Sequence, residues 1–198
     1  ACVDYMTARI GDGADMLARG LLSAVNGPAA AIGLARGMMA AEALARLTAA
    51  GLPPAAVTEE MDEARRDIPE AGRKGVRVIA LDSNGLVGAE DSGHVVVTGS
   101  HGGLLGGRPE TAVKADVLAA LYNDAGIGVD DAGISRLPAL QDRGIAGACV
   151  AADSARIGDA MSTWNDGVIS ALNPLAAARG GRIGQSARDF VAAMLEHV

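Results

Sequence analysis

The chain has 198 residues, 49% of them hydrophobic but only 2% aromatic, with a formal net charge of −7 and a pI near 4.9. That length carries a real core, which must be built from Ala, Val, Leu, Ile and Met, and an acidic chain with no basic stripe or aromatic platform argues against nucleic acid as a partner. No apolar run approaches the ~20 residues of a membrane span and no charged-then-apolar leader opens the chain, so a cytoplasmic protein with no membrane partner is expected.

In chain order, residues 1–5 read as a short strand and 7–12 as a turn. Helices are expected over 14–26 and, past Pro28, over 29–49, stopped by Gly51-Leu-Pro-Pro54. Residues 52–75 form a charged linker or solvated helix. The period then changes: 76–81 is apolar and β-branched like a buried strand, and Asp82-Ser-Asn-Gly85 is a turn. A strand at 94–98 runs into the glycine-rich stretch 99–107. Residues 110–116 look helical, 117–122 a strand ended by Asn123-Asp-Ala-Gly126, 130–143 a helix capped by Asp130 or Asp131 and closed by Gly144, and 145–152 the next strand. Continuous apolar strands alternating with helices predict a single α/β domain: three layers, a mostly parallel sheet flanked by helices. In such sheets ligands sit at the carboxyl ends of strands, near a reversal of strand order.

Residues 1–51 recur at 148–198 with a constant offset of 147 and no gap; 19 of 51 positions are identical, where about five would match by chance. The fold thus contains a duplicated strand-turn-helix unit, an N-terminal repeat at 1–51 and a main sheet region, 76–198, that ends in the second repeat. Cys2 and Cys149 hold equivalent strand positions and are expected to be buried, reduced thiols. Trp164 stands where the first copy has Leu17 and is expected in the core. The repeated Ser23/Asn26 and Ser170/Asn173 pairs suggest a close helix–helix seam.

Chemistry should lie in the loops after the strands. Ser100 and His101 precede Gly102 and Gly103, whose adjacent amides could hold an oxyanion or carboxylate, while His101 could serve as a general base. The Gly-Lys-Ser/Thr ending of a phosphate loop is missing. Asn123 and Asp124 end the next strand, and Asp124 could orient His101. The two Ala-Arg-Ile-Gly-Asp turns present Arg9/Asp12 and Arg156/Asp159, each a candidate Arg–Asp lock with the aspartate capping a helix. Ser154, just before the second turn, is a candidate nucleophile or water-positioner, and Arg156 a clamp for a substrate carboxylate, with Arg9 and Asp159 as further binding candidates. His94 and His197 have no partner in sequence.

Ser100-His101-Gly102 at a strand end, followed on another strand by Ala148-Cys149, resembles the His-Gly and Ala-Cys pairing of caspase-like cysteine peptidases. The likeness covers about five residues and implies a His101–Cys149 pair. Cys149 is followed by Val150-Ala-Ala rather than a glycine turn, which places it inside its strand.

These residues point to an enzyme acting on a small anionic substrate, first of all a hydrolase of an amide- or ester-like bond, with no cofactor and no metal. The same groups would serve an isomerase or lyase. The alternative from another class is a non-catalytic ligand-binding or regulatory subunit that packs through Ala/Gly-rich helices. A homo-oligomer is the expected assembly.

Overall fold

A computed structural model describes residues 1–51 and 63–198. The unalternated apolar runs become four parallel strands that neighbour one another in chain order: β4 (Val78–Leu81), β5 (Val95–His101), β6 (Ala119–Asn123) and β7 (Ala146–Val150). Antiparallel edge strands β3 (Arg65–Asp67) and β8 (Ile169–Leu172) complete a six-stranded sheet. Successive residues of a strand point to opposite faces, so a run buried throughout needs cover on both. Val78, Val95, Val97, Leu121 and Ala148 meet Trp164 of α5 (Ala160–Asp166) and Phe190, Met194 and Leu195 of α7 (Ala187–Glu196). Ile79, Leu81, Val96, Tyr122 and Cys149 meet Val87, Leu104 and Val113 of the crossovers and Leu137 and Leu140 of α4 (Arg136–Asp142). The sheet is therefore the middle of three layers.

The strand order never reverses, so right-handed crossovers place every connection between β4 and β7 on one face. The expected switch point is therefore absent. What the parallel strands do share is one rim at their carboxyl ends.

Residues 1–49 depart from the two long helices expected there. They form β1 (Cys2–Val3), α1 (Gly13–Arg19), β2 (Leu22–Ala24), α2 (Gly27–Ala31) and α3 (Ala40–Ala49), with β1 and β2 an antiparallel pair. Gly33 and Gly37, at φ 87° and 82°, turn the chain left-handed between α2 and α3, a conformation that side chains resist. The Ser/Asn pairs are not a helix seam. Ser23 and Ser170 lie in β2 and β8, while Asn26 and Asn173 cap α2 and α6 (Pro174–Ala178) by accepting the Ala29 and Ala176 N–H at 3.1 and 2.9 Å.

The charged segment lies partly outside the described residues. Its described part is edge strand β3 and a 3-10 turn, Pro69–Ala71, rather than a longer helix, and β3 is pinned where Arg65 grips the sealed Asp91 carboxylate at 2.6 and 3.0 Å. The helix expected at 110–116 is only a 3-10 turn, Pro109–Thr111, and the one at 130–143 divides into a 3-10 turn, Val129–Ile134, and α4. Asp130 and Asp131 take positive φ there instead of capping a helix. Among the described residues no helix is long and apolar enough to cross a membrane.

The bounds of α1, α2 and α3 return 147 positions later as those of α5, α6 and α7. Asp12 and Asp159 cap α1 and α5 by the same bond, from the N–H three residues on, at 3.0 and 2.9 Å. Their settings differ: Trp164 is 6% exposed within the sheet-face core and Leu17 is 44% exposed. Trp164→Leu is accordingly expected to cost about 2 kcal/mol in urea unfolding, whereas Leu17→Ala should stay within about 0.5 kcal/mol. Equal costs would contradict this assignment of the core.

Candidate functional site

β5 and β6 pair Val97 with Leu121 but His101 with Asn123, so β5 carries two extra residues before its end. Such a bulge re-aims side chains, and Ser100 and His101, neighbours in sequence, both line one cleft of about 480 Å3. Ser100 Oγ accepts the Asn84 N–H at 2.8 Å, which leaves its own proton to donate. His101 Nδ1 accepts the Gly103 N–H at 3.1 Å, so the neutral ring carries its proton on Nε2. Burial, with the nearby Arg136 guanidinium adding to it, holds the imidazole below its ordinary pKa of 6.5. At neutral pH the neutral His101 ring therefore offers the cleft an N–H donor, its other nitrogen being engaged with Gly103.

That depression has a measurable sign. The unfolded chain takes up the His101 proton at higher pH than the folded one, so stability falls as pH drops through 6.5 toward the folded value. His101→Gln should flatten this slope in urea unfolding between about pH 7.5 and 5.5; an unchanged slope would refute it.

The glycine amides expected to hold an oxyanion are both spent. The Gly102 N–H donates to Asn123 O at 2.7 Å and that of Gly103 to His101. Asp124 does not orient His101: its Oδ1 accepts the backbone N–H groups of Gly126 and Ala152 at 2.8 and 2.9 Å. Asn123 is sealed, donating to Ala155 O at 2.9 Å and accepting the Ala125 N–H. These bonds interlock the loops after β5, β6 and β7 by consuming the groups that would have done chemistry.

Ser154 is likewise occupied, donating to Ala151 O at 2.7 Å and accepting the Val168 N–H at 3.0 Å. Thr7 makes the same two bonds, to Asp4 O and from the Leu21 N–H, so the hydroxyl is part of the turn. Arg156 lines a separate shallow hollow beside Ser154, 80% exposed and paired with Asp159 at 2.9 Å. The Ser162 N–H first, and Arg156 with it, hold the Asp159 carboxyl below the usual range. Arg9 pairs with Asp15 at 3.0 Å and lies 3.6 Å from Asp12. Both Arg–Asp pairs are surface contacts rather than buried locks.

The residue the sequence reading missed is Arg136, at the start of α4. It is 2% exposed; its Nε donates to His101 O at 3.3 Å, its Nη1 to the Thr111 and Ala112 carbonyls, and its guanidinium lies 5.1 Å from the Tyr122 ring centre. No carboxylate pairs with it among the described residues. Nη2 makes no hydrogen bond there, and Arg136 lines the cleft. Lys114, whose ammonium donates to Gly85 O, stands at the same rim. Nothing in the sequence marked it, because the helix expected over 130–143 places Arg136 in its interior, and only the structure starts α4 at this residue.

Cys149 is wholly buried inside β7, and burial pushes its thiol up, away from the thiolate a peptidase needs. The peptidase-like pairing therefore fails. Cys2, expected to be buried, is exposed, and both thiols are free. No cluster of three or more His, Cys, Asp or Glu side chains suited to a metal occurs among the described residues. Compared with known proteins, the chain matches no family model, no curated protein and no solved structure.

Proposed function

We propose that the protein binds a small anionic molecule, a carboxylate or phosphate, in the cleft between the end of β5 and the start of α4. The observation that carries this is Arg136, a buried guanidinium beside the cleft that among the described residues has no carboxylate partner and one nitrogen without a hydrogen bond. Burying an uncompensated charge is costly, and an anion in the cleft would offset that cost. His101 Nε2–H and the Ser100 hydroxyl add neutral donors, and Lys114 a second cation at the rim.

A titration of the chain with inorganic phosphate and with small di- and tricarboxylates, followed by thermal unfolding, tests the reading. A ligand held by the folded state raises the melting temperature with concentration, and Lys114→Ala should weaken binding about three- to tenfold without moving the unliganded transition. The idea fails if none of these anions stabilises the chain, or if Lys114→Ala and His101→Asn bind as well as the parent.

Hydrolysis of an amide- or ester-like bond is the second reading, favoured by the Ser100 hydroxyl beside His101. It needs the ring to release Gly103 and exchange tautomers so that a nitrogen can take the serine proton. Turnover of a small ester and amide panel that disappears in both Ser100→Ala and His101→Ala would support it. Anion binding without any turnover would leave the binding module.

A further inference from the structure

Helices α1 and α3 leave an apolar groove of about 610 Å3, lined by Leu17, Ala41, Leu44, Ala45, Thr48 and Ala49. Leu17 and Leu44 are 44% and 50% exposed. The positions of Leu17, Leu44 and Thr48 are covered 147 residues later. Trp164 and Val191, 6% and 1% exposed, and Leu195 lie against one face of the β4–β7 sheet.

The strands show the same contrast. Among the described residues β1 pairs only with β2, and Cys2 is exposed. β7 pairs with β8 through the same Cys/Val irregularity, but its other edge is taken by β6, with Cys149 opposite Tyr122 and wholly buried. Among the described residues, two surfaces of 1–49, a strand edge and a helix face, thus lack what the matching surfaces of 148–196 possess. Bulk inside the two units is conserved by exchange: Leu34 and Ala43 stand where Gly181 and Phe190 stand, and a Cβ at Gly181 would come within 3.0 Å of Phe190.

We propose that residues 1–49 are the cap of a second parallel sheet layer built like residues 63–147. β1 pairs with the last strand of that layer as β7 pairs with β6, and Leu17 and Leu44 cover its face. An intact second chain cannot supply the layer, because its β7 already holds the β6 edge. The occupant is an uncapped copy of 63–147. The join suits it: Gly147 runs into Ala148-Cys149-Val150, and β1 opens with the same triplet, Ala1-Cys2-Val3.

The test compares the 198-residue chain with one lengthened by a second copy of residues 63–147 directly before Ala1, a stretch that brings no cysteine. In the shorter chain Cys2 should react quickly with a thiol reagent and Cys149 only on unfolding. In the longer one Cys2 should be protected about 100-fold or more, as a thiol reached only by opening of the sheet. Leu44→Glu should restore Cys2 labelling in the longer chain while leaving the melting temperature of the shorter one unchanged. Equal Cys2 labelling in both chains, persisting after Leu17→Trp and Thr48→Leu restore the bulk of the second unit, would overturn the proposal. So would loss of stability on Leu44→Glu in the 198-residue chain, since the groove would then already be occupied.

Discussion

Arg136→Met is expected to cost about 3–5 kcal/mol in urea unfolding. Methionine matches the volume of the aliphatic stem but cannot donate, so the His101, Thr111 and Ala112 carbonyls lose the guanidinium that now satisfies them. Each buried acceptor left unpaired costs about 1–3 kcal/mol, and relief from burying an uncompensated charge offsets part of the total. Arg136→Lys should fall between parent and Met, because an ammonium can reach one carbonyl but cannot span the fork. The same change should abolish the anion response, which ties the stability experiment to the proposed function. A Met variant within about 1 kcal/mol of the parent would mean that water serves those carbonyls equally well, and that Arg136 contributes little to the fold.

Gly102→Ala is expected to be about as damaging, at about 4 kcal/mol or more. A Cβ there would lie 2.5 Å from Gly133 O and 2.6 Å from Cys149 Sγ, where the rigid end of the sheet meets the turn before α4. The sulfur can be removed: Cys149→Ala in the same chain should recover part of the loss. The carbonyl is held more firmly, because its turn is tied by the Gly133 N–H donating to Ile127 O at 2.7 Å. The non-additivity of the pair measures the clash directly. Additive losses would show that the strain lies elsewhere. This is also why Gly102 reads differently in sequence and in space. An adjacent Gly-Gly resembles an anion nest, but here glycine is required by close approach.

Much of the sheet could be read in advance because β4 to β7 are short apolar runs whose burial on both faces leaves no alternation, a local property of the chain. The helices of residues 1–49 could not. Whether Leu22–Ala24 continues a helix or pairs with Cys2–Val3 depends on a neighbour that no helical period reports, and strand pairing overrode the propensity of an Ala-rich segment. At the rim, sequence placed Ser100 and His101 in the cleft but had no means of showing that Asn123, Asp124 and Ser154 were already committed to backbone groups. Nor could it single out Arg136, which it set inside a helix over 130–143 and which the folded chain buries with no carboxylate partner among the described residues, while Arg156 stays solvated on the surface.

Composition and pattern alone set the small-residue core, the strands that form the sheet, and the 147-residue echo between the chain's two ends. The partners of each polar group were decided only by the folded chain. Hydrophobic burial follows local pattern, whereas hydrogen bonding is a competition among all groups brought within about 3 Å, and its winners are known only once the chain is closed on itself.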